Sequence, residues 1–197
     1  MKGDPFAAGS RAVTDNHRPL PLGFGRLHSP ENNLAEAYKR LFAERQSHAS
    51  LNLFALVDGL QYERHFGQRL QVMPGWRALF DGTPDAPLAH AGPWLVDVVQ
   101  AGDARADELV RLELMAPAVS WLFAEHDLEG LAGGLRRHLR GQDGQGKLLR
   151  FWDSRVLAGL AEGLGLEEEV ELFGVACEWH FLLKGRRVWV VGRGEGK

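Results

Sequence analysis

Cysteine is almost missing from this chain: Cys177 is the single thiol among 197 residues, so no intramolecular disulfide can form and a reducing compartment is expected. Long apolar runs are missing too. No stretch approaches the ~18 uninterrupted apolar residues that would suggest a membrane span. The opening Met1-Lys2-Gly3-Asp4-Pro5-Phe6 has no continuous apolar segment of the kind found in export signals. The expectation is a cytoplasmic protein with neither signal nor anchor. Charge of one sign is not in large excess either. With 23 basic and 26 acidic residues and a formal net charge of -3, the whole-chain field favours neither nucleic acid nor acidic membranes. Any charged partner has to be met by a local patch.

Motifs for chemistry are equally scarce. Gly141-Gln142-Asp143-Gly144-Gln145-Gly146-Lys147-Leu148 has phosphate-loop spacing up to the lysine. It then places Leu148 where a serine or threonine should hold magnesium, and it follows a predicted helix and opens a predicted strand, the reverse of the required order. An ordinary glycine-rich turn explains it. There is no Gly-x-Ser-x-Gly elbow, and the eight histidines form no H-x-x-x-H or H-x-H pairing for a metal. Cys177 and His180 come nearest to a ligand pair, yet three residues apart on a strand they point to opposite faces. Asp58, Asp81, Asp127 and Asp153 all fall near predicted strand ends, where α/β active sites gather. Each also sits where an aspartate accepts amide hydrogen bonds in a turn or helix cap, which needs no substrate. No residue is therefore assigned a catalytic, cofactor-binding or metal-binding role, and no cofactor is expected.

What is present is enough apolar material, 45% of the chain, for one sizeable core or two small lobes. Residues 1–28 hold scattered glycines and prolines without period and read as a flexible tail. Ser29-Pro30-Glu31 is a helix start, followed by Leu34, Ala37, Tyr38, Leu41 and Phe42 as one stripe over about 31–47. Leu53–Gly59 and Trp76–Gly82 each read as a buried strand closed by Asp-Gly, with Tyr62, Phe66 and Leu70 at helical spacing between them. A right-handed strand-helix-strand unit follows as the economical reading. Pro93–Val99, Ala118–Ala124 and Lys147–Trp152 give further strands, and helices are predicted over about 128–140 and 154–163, capped by Asp127 and Asp153. The expected fold is mixed α/β: a central, largely parallel sheet with flanking helices, residues 29–175 forming the main domain. Residues 176–197 form a C-terminal hairpin turned by Lys184-Gly185. That hairpin either edges the main sheet or belongs to a small second lobe.

Charge is patterned locally. Arg136, Arg137, Arg140, Lys147, Arg150 and Arg155 crowd one stretch, and Glu162, Glu167, Glu168, Glu169 and Glu171 follow it. Aromatics are too few among them for an RNA platform and the neighbouring acids would repel phosphate, so intramolecular complementarity, or docking to a protein of mixed charge, is the better reading. Arg136, Arg137, Arg140, Glu167 and Glu168 are the candidate partner-binding patch.

Five ordered pieces carry a resemblance. They are Leu53–Gly59, Ala78-Leu79-Phe80-Asp81-Gly82, Pro93-Trp94-Leu95-Val96, Asp127–Leu139 and Leu149-Arg150-Phe151-Trp152-Asp153-Ser154-Arg155-Val156-Leu157. In that order, over about 53–175, the sequence resembles the domain of unknown function 4123, the adaptor-chaperones of type VI secretion effectors. The last piece is close to an arginine-phe-tyr-asp-pro-arg-val signature, with Trp152 for tyrosine and Ser154 for proline. The resemblance implies a non-catalytic bacterial cytoplasmic adaptor whose partners are a cognate toxic effector and the valine-glycine repeat spike protein, with no nucleic acid and no membrane. It marks Asp58, Asp81, Gly82, Arg150, Phe151, Trp152, Asp153 and Arg155 as signature residues with a structural or partner-binding role. The alternative is a small α/β enzyme, nucleotide-binding or hydrolytic, of unknown substrate.

Overall fold

The computed structural model describes residues 23–26, 40–41, 43–46, 50–140, 146–163 and 171–192. Among them, seven strands form one sheet: β1 (Gly23–Arg26), β2 (Asn52–Asp58), β3 (Trp76–Ala78), β4 (Pro93–Asp97), β5 (Val119–Ala124), β6 (Glu178–Leu183) and β7 (Arg186–Val191). Their order is β1-β7-β6-β5-β2-β4-β3. Helices α1 (Gly59–Phe66), α2 (Val98–Ala101), α3 (Asp103–Met115), α4 (Leu128–Arg136) and α5 (Ser154–Gly163) connect them, with a 3-10 segment over Ala86–Ala91.

Every described strand pair is antiparallel, so the expectation of a largely parallel sheet is wrong. Its physical source is visible in the packing. Alternate residues of β2 face opposite layers: Phe54 and Leu56 pack with α4 and α5, while Leu53, Ala55 and Val57 pack with α1 and α3. Both faces are covered, so the central strands are apolar throughout, a pattern usual in parallel sheets and not confined to them. The strand-helix-strand reading fails for a related reason. β2 and β3 do run the same way, because each is antiparallel to β4, but β4 lies between them. β4 and β5 likewise share a direction and are separated by β2. Each helical crossover therefore lands two strands over.

Several boundaries differ from expectation. β3 is short, and the run read as strand to Gly82 turns instead, with Gly82 at φ 75. The Pro93–Val99 strand stops at Asp97, whose Oδ1 accepts the Val99 and Gln100 amides at 3.0 Å each and starts α2. Local capping overrides the β preference of Val98 and Val99. Lys147–Trp152 is not a strand: it has one bridge, Arg140 to Leu148, and then a turn at Phe151-Trp152. α4 ends at Arg136 and tightens, Arg137, His138 and Leu139 donating their amides three residues back. Of the helix expected over 31–47, residues 40–41 and 43–45 are helical and 46 is a turn; the rest lies outside the described residues.

The predicted hairpin forms, with Lys184 and Gly185 at φ 49 and 74, both positive as a tight turn of this type requires. β6 pairs with β5, so the hairpin joins the main sheet. Residues 23–26, expected within a tail, form β1 along β7; residues 1–22 and 27–28 lie outside the described residues. One close approach fixes the loop after β3. A Cβ on Gly92 would lie 2.4 Å from the Phe80 ring, so only glycine lets the 3-10 segment settle there.

Candidate functional site

Six of the eight signature residues, Asp58, Arg150, Phe151, Trp152, Asp153 and Arg155, meet at one end of the sheet. Asp58 closes β2 and caps α1: its Oδ1 accepts the Gln61 amide at 3.0 Å, and its Oδ2 accepts Arg150 Nη2 at 3.4 Å. The Arg150 guanidinium also lies 5.9 Å from the centroid of the Trp152 ring. Trp152 in turn meets Phe80 and Phe151 edge to face, both at 5.7 Å. Asp153 caps α5. Its Oδ1 accepts from the Arg155 amide and from Nε at 3.0 Å each, and its Oδ2 accepts Nη2 at 2.7 Å. Asp153 and Arg155 therefore brace the entry to α5 through a helix cap and a paired charge. Next to it the Ser154 amide donates to Pro117 O at 3.3 Å and its hydroxyl to Leu182 O at 3.1 Å. Residues 150–155 thus tie β2, the entry to β5 and the end of β6 together. Asp81 and Gly82 lie at an exposed turn next to Phe80, whose ring meets Trp152.

The two carboxylates are driven apart. Burial raises Asp58, against the lowering pull of the Gln61 amide and Arg150, and the net shift is upward. Burial also acts to raise Asp153, but the hydrogen bonds and charge of Arg155 outweigh it, so Asp153 falls below the usual carboxylate range. Opposite shifts in neighbouring acids can mark an acid/base pair. Here, however, every carboxylate oxygen already accepts from a backbone amide or an arginine of the same chain. Asp58 is 1% exposed and Asp153 5%. A general acid or base must face a proton on its substrate, and these oxygens face the scaffold.

The charged patch is divided by the structure. Arg136 Nε donates to Leu79 O at 3.3 Å, and Arg140 donates to Asp85 Oδ2 at 2.7 Å and to Gly146 O at 2.6 Å. Those two arginines pin α4 and its exit to the loop after β3. Arg137 is exposed, and Glu167 and Glu168 lie outside the described residues, as do 141–145 of the glycine-rich turn.

With that geometry in place, comparison with known families is informative: residues 53–170 match the family model described as a domain of unknown function, DUF4123. The chain belongs to this family. Comparisons with curated proteins and with solved structures find no match. The DUF4123 span begins within β2 and runs past α5; β1, β6 and β7 complete the same sheet from outside it.

Sequence reasoning missed several features of this DUF4123 chain. Glu113 on α3 and Arg187 on β7 form a buried pair, Nη1 to Oε1 at 2.5 Å and Nη2 to Oε2 at 3.0 Å. Burial raises the Glu113 carboxyl and Arg187 partly offsets it. Arg40, Glu178 and His180 make a second cluster, Arg40 donating to Glu178 at 2.5 Å and His180 Nε2 lying 2.8 Å from its other oxygen. Burial lowers His180 although Glu178 pulls it upward. Neither the Glu113–Arg187 nor the Arg40–Glu178 contact has a local sequence signal, since the partners lie 74 and 138 residues apart, whereas Glu178 and His180, two apart on β6, share a face. Cys177 is half-buried, and burial raises its thiol. A cleft of ≈ 180 Å³ opens between α1 and β3, lined by Tyr62, Gln68, Leu70, Met73, Trp76 and Arg105 among others. Burial and a hydrogen bond to Glu108 push Tyr62 up to about 12. Among the described residues no group of three or more His, Cys, Asp or Glu side chains is placed to hold a metal ion, and no helix is long and apolar enough to cross a membrane.

Proposed function

We propose that this chain is a non-catalytic, cytoplasmic adaptor of a bacterial type VI secretion system that binds a cognate toxic effector and helps load it onto the valine-glycine repeat spike protein. The observation that carries this reading is the DUF4123 match over residues 53–170, joined to the adaptor role that the sequence resemblance implies. The signature supports it. Its polar atoms are used in capping α1 and α5 and in joining strand ends, the work of a rigid scaffold. Such an adaptor must bind the effector more weakly than the loaded spike does, because binding too tightly would block transfer.

A bacterium lacking this gene is expected to lose delivery of the cognate effector while other effectors of the same machine are still delivered. Complementation with the gene restores it. Unchanged delivery of the cognate effector would overturn the adaptor reading.

A further inference from the structure

We propose that the end of the sheet formed by the β6–β7 turn, the start of α5 and the end of α3 is a docking surface for an acidic segment of a partner protein, its carboxylates flanking an apolar anchor. The identification of that partner as the effector rests on the adaptor reading; the surface itself rests on charge and exposure.

Hydrogen bonds and an ion pair place the three elements together. Ser154 bonds through its amide to Pro117, just past α3, and through its hydroxyl to Leu182, two residues before the turn. Arg187 and Glu113 tie β7 to α3. Around this junction the carboxylates of residues 58–60, 113–119, 147–156 and 182–188 are Asp58, Glu113 and Asp153. All are buried, at 1%, 3% and 5% exposure, and each is engaged by an arginine. The cations differ. The side chains of Arg150 and Arg155 remain 49% and 65% exposed, and Lys184 and Arg186 are exposed. The field that reaches solvent here is therefore positive, although the chain as a whole carries -3.

Within the same end, Leu114 and Met115 are 41% and 51% exposed. Large apolar side chains at an end that also presents exposed cations suit a segment that covers them with its own apolar residue and sets carboxylates against the charges. Rim charges of this kind speed association and select the partner. A protein segment fits better than single-stranded nucleic acid, which requires aromatic stacking platforms, whereas the exposed side chains here are aliphatic and thioether.

Two readouts test this on the full chain. The first follows backbone amide resonances as a synthetic peptide of glutamates around a central leucine pair is added, against the same peptide with glutamine for glutamate. Shifts confined to Met115, Arg155, Lys184 and Arg186 and their neighbours, seen only with the glutamate peptide and weakened about tenfold or more in Lys184→Glu/Arg186→Glu, are expected. Equal shifts with both peptides, shifts elsewhere, or tighter binding of polyuridylate or phosphatidylglycerol vesicles overturn the proposal. The second compares complex formation with the effector encoded beside this gene. Loss in Lys184→Glu/Arg186→Glu and in Met115→Ser, with melting temperatures unchanged, supports the surface. An undiminished complex overturns the surface and leaves the adaptor reading standing. Peptide binding at this end with no effector complex in the unaltered protein leaves the surface and removes the adaptor reading.

Discussion

Asp153 does two jobs with three hydrogen bonds, capping α5 and holding Arg155 in a bidentate grip. Asp153→Ala is expected to lower stability by about 0.5–2 kcal/mol as a lost cap, read as a lower melting temperature. Because folding lowers its pKa from 3.8, its contribution is present above the ordinary carboxylate value and is lost as pH falls through the lower folded value. The gap between the unaltered protein and Asp153→Asn should therefore narrow as pH is taken below 3.8. Asp58 behaves oppositely. Its folded pKa is raised, so its contribution is present at low pH and declines as pH rises through the folded value. Chemical denaturation across that range checks both signs, and a constant gap for Asp153→Asn would contradict the first. At this scale much was legible: Asp127 and Asp153 cap helices as read from sequence, and Asp58, read as serving a turn or a cap, caps α1. Asp97 was not, because two valines after it disguised a cap as the middle of a strand.

Between elements, the buried Glu113–Arg187 pair fastens α3 to β7. Arg187→Met leaves an unpaired carboxylate that is 1% exposed, and its expected cost is about 3–5 kcal/mol. Replacing both, Glu113→Leu with Arg187→Met, should recover most of that loss, since an apolar pair of similar volume carries no desolvation penalty. Urea denaturation of the two variants decides this; equal stability of the single and double variants would contradict it. No sequence pattern announces such a pair, whose partners lie 74 residues apart. The hairpin was legible because Lys184-Gly185 is a local turn signal between two apolar runs. The 150–155 segment was half legible. Its aromatics suggested a strand, but burial of Phe151 and Trp152 against Phe80 and Trp179 is achieved from a turn.

For the whole molecule, the number and place of most strands follow from apolar runs, yet strand direction does not. Helices on both faces bury β2 and β5 throughout, and a fully buried antiparallel strand reads like a parallel one. Interleaving of crossovers two strands apart is a property of long-range pairing, which no local period encodes. The charge distribution was also hidden. The near-balance of the full sequence conceals that the acids at one end of the sheet are buried in ion pairs while the cations reach solvent. Of the expected partner-binding patch, Arg136 and Arg140 make internal contacts, Arg137 is exposed, and Glu167 and Glu168 lie outside the described residues; the surface proposed above lies across the sheet end.

The central claim is that this DUF4123 chain holds an effector for transfer to the spike. Its most direct test is to express the tagged protein with the neighbouring putative effector and spike protein and to isolate what remains bound through size exclusion. The account predicts a stable complex with the effector that raises the effector's solubility and passes it to the spike. Absence of association with either, with all three proteins folded, would contradict it.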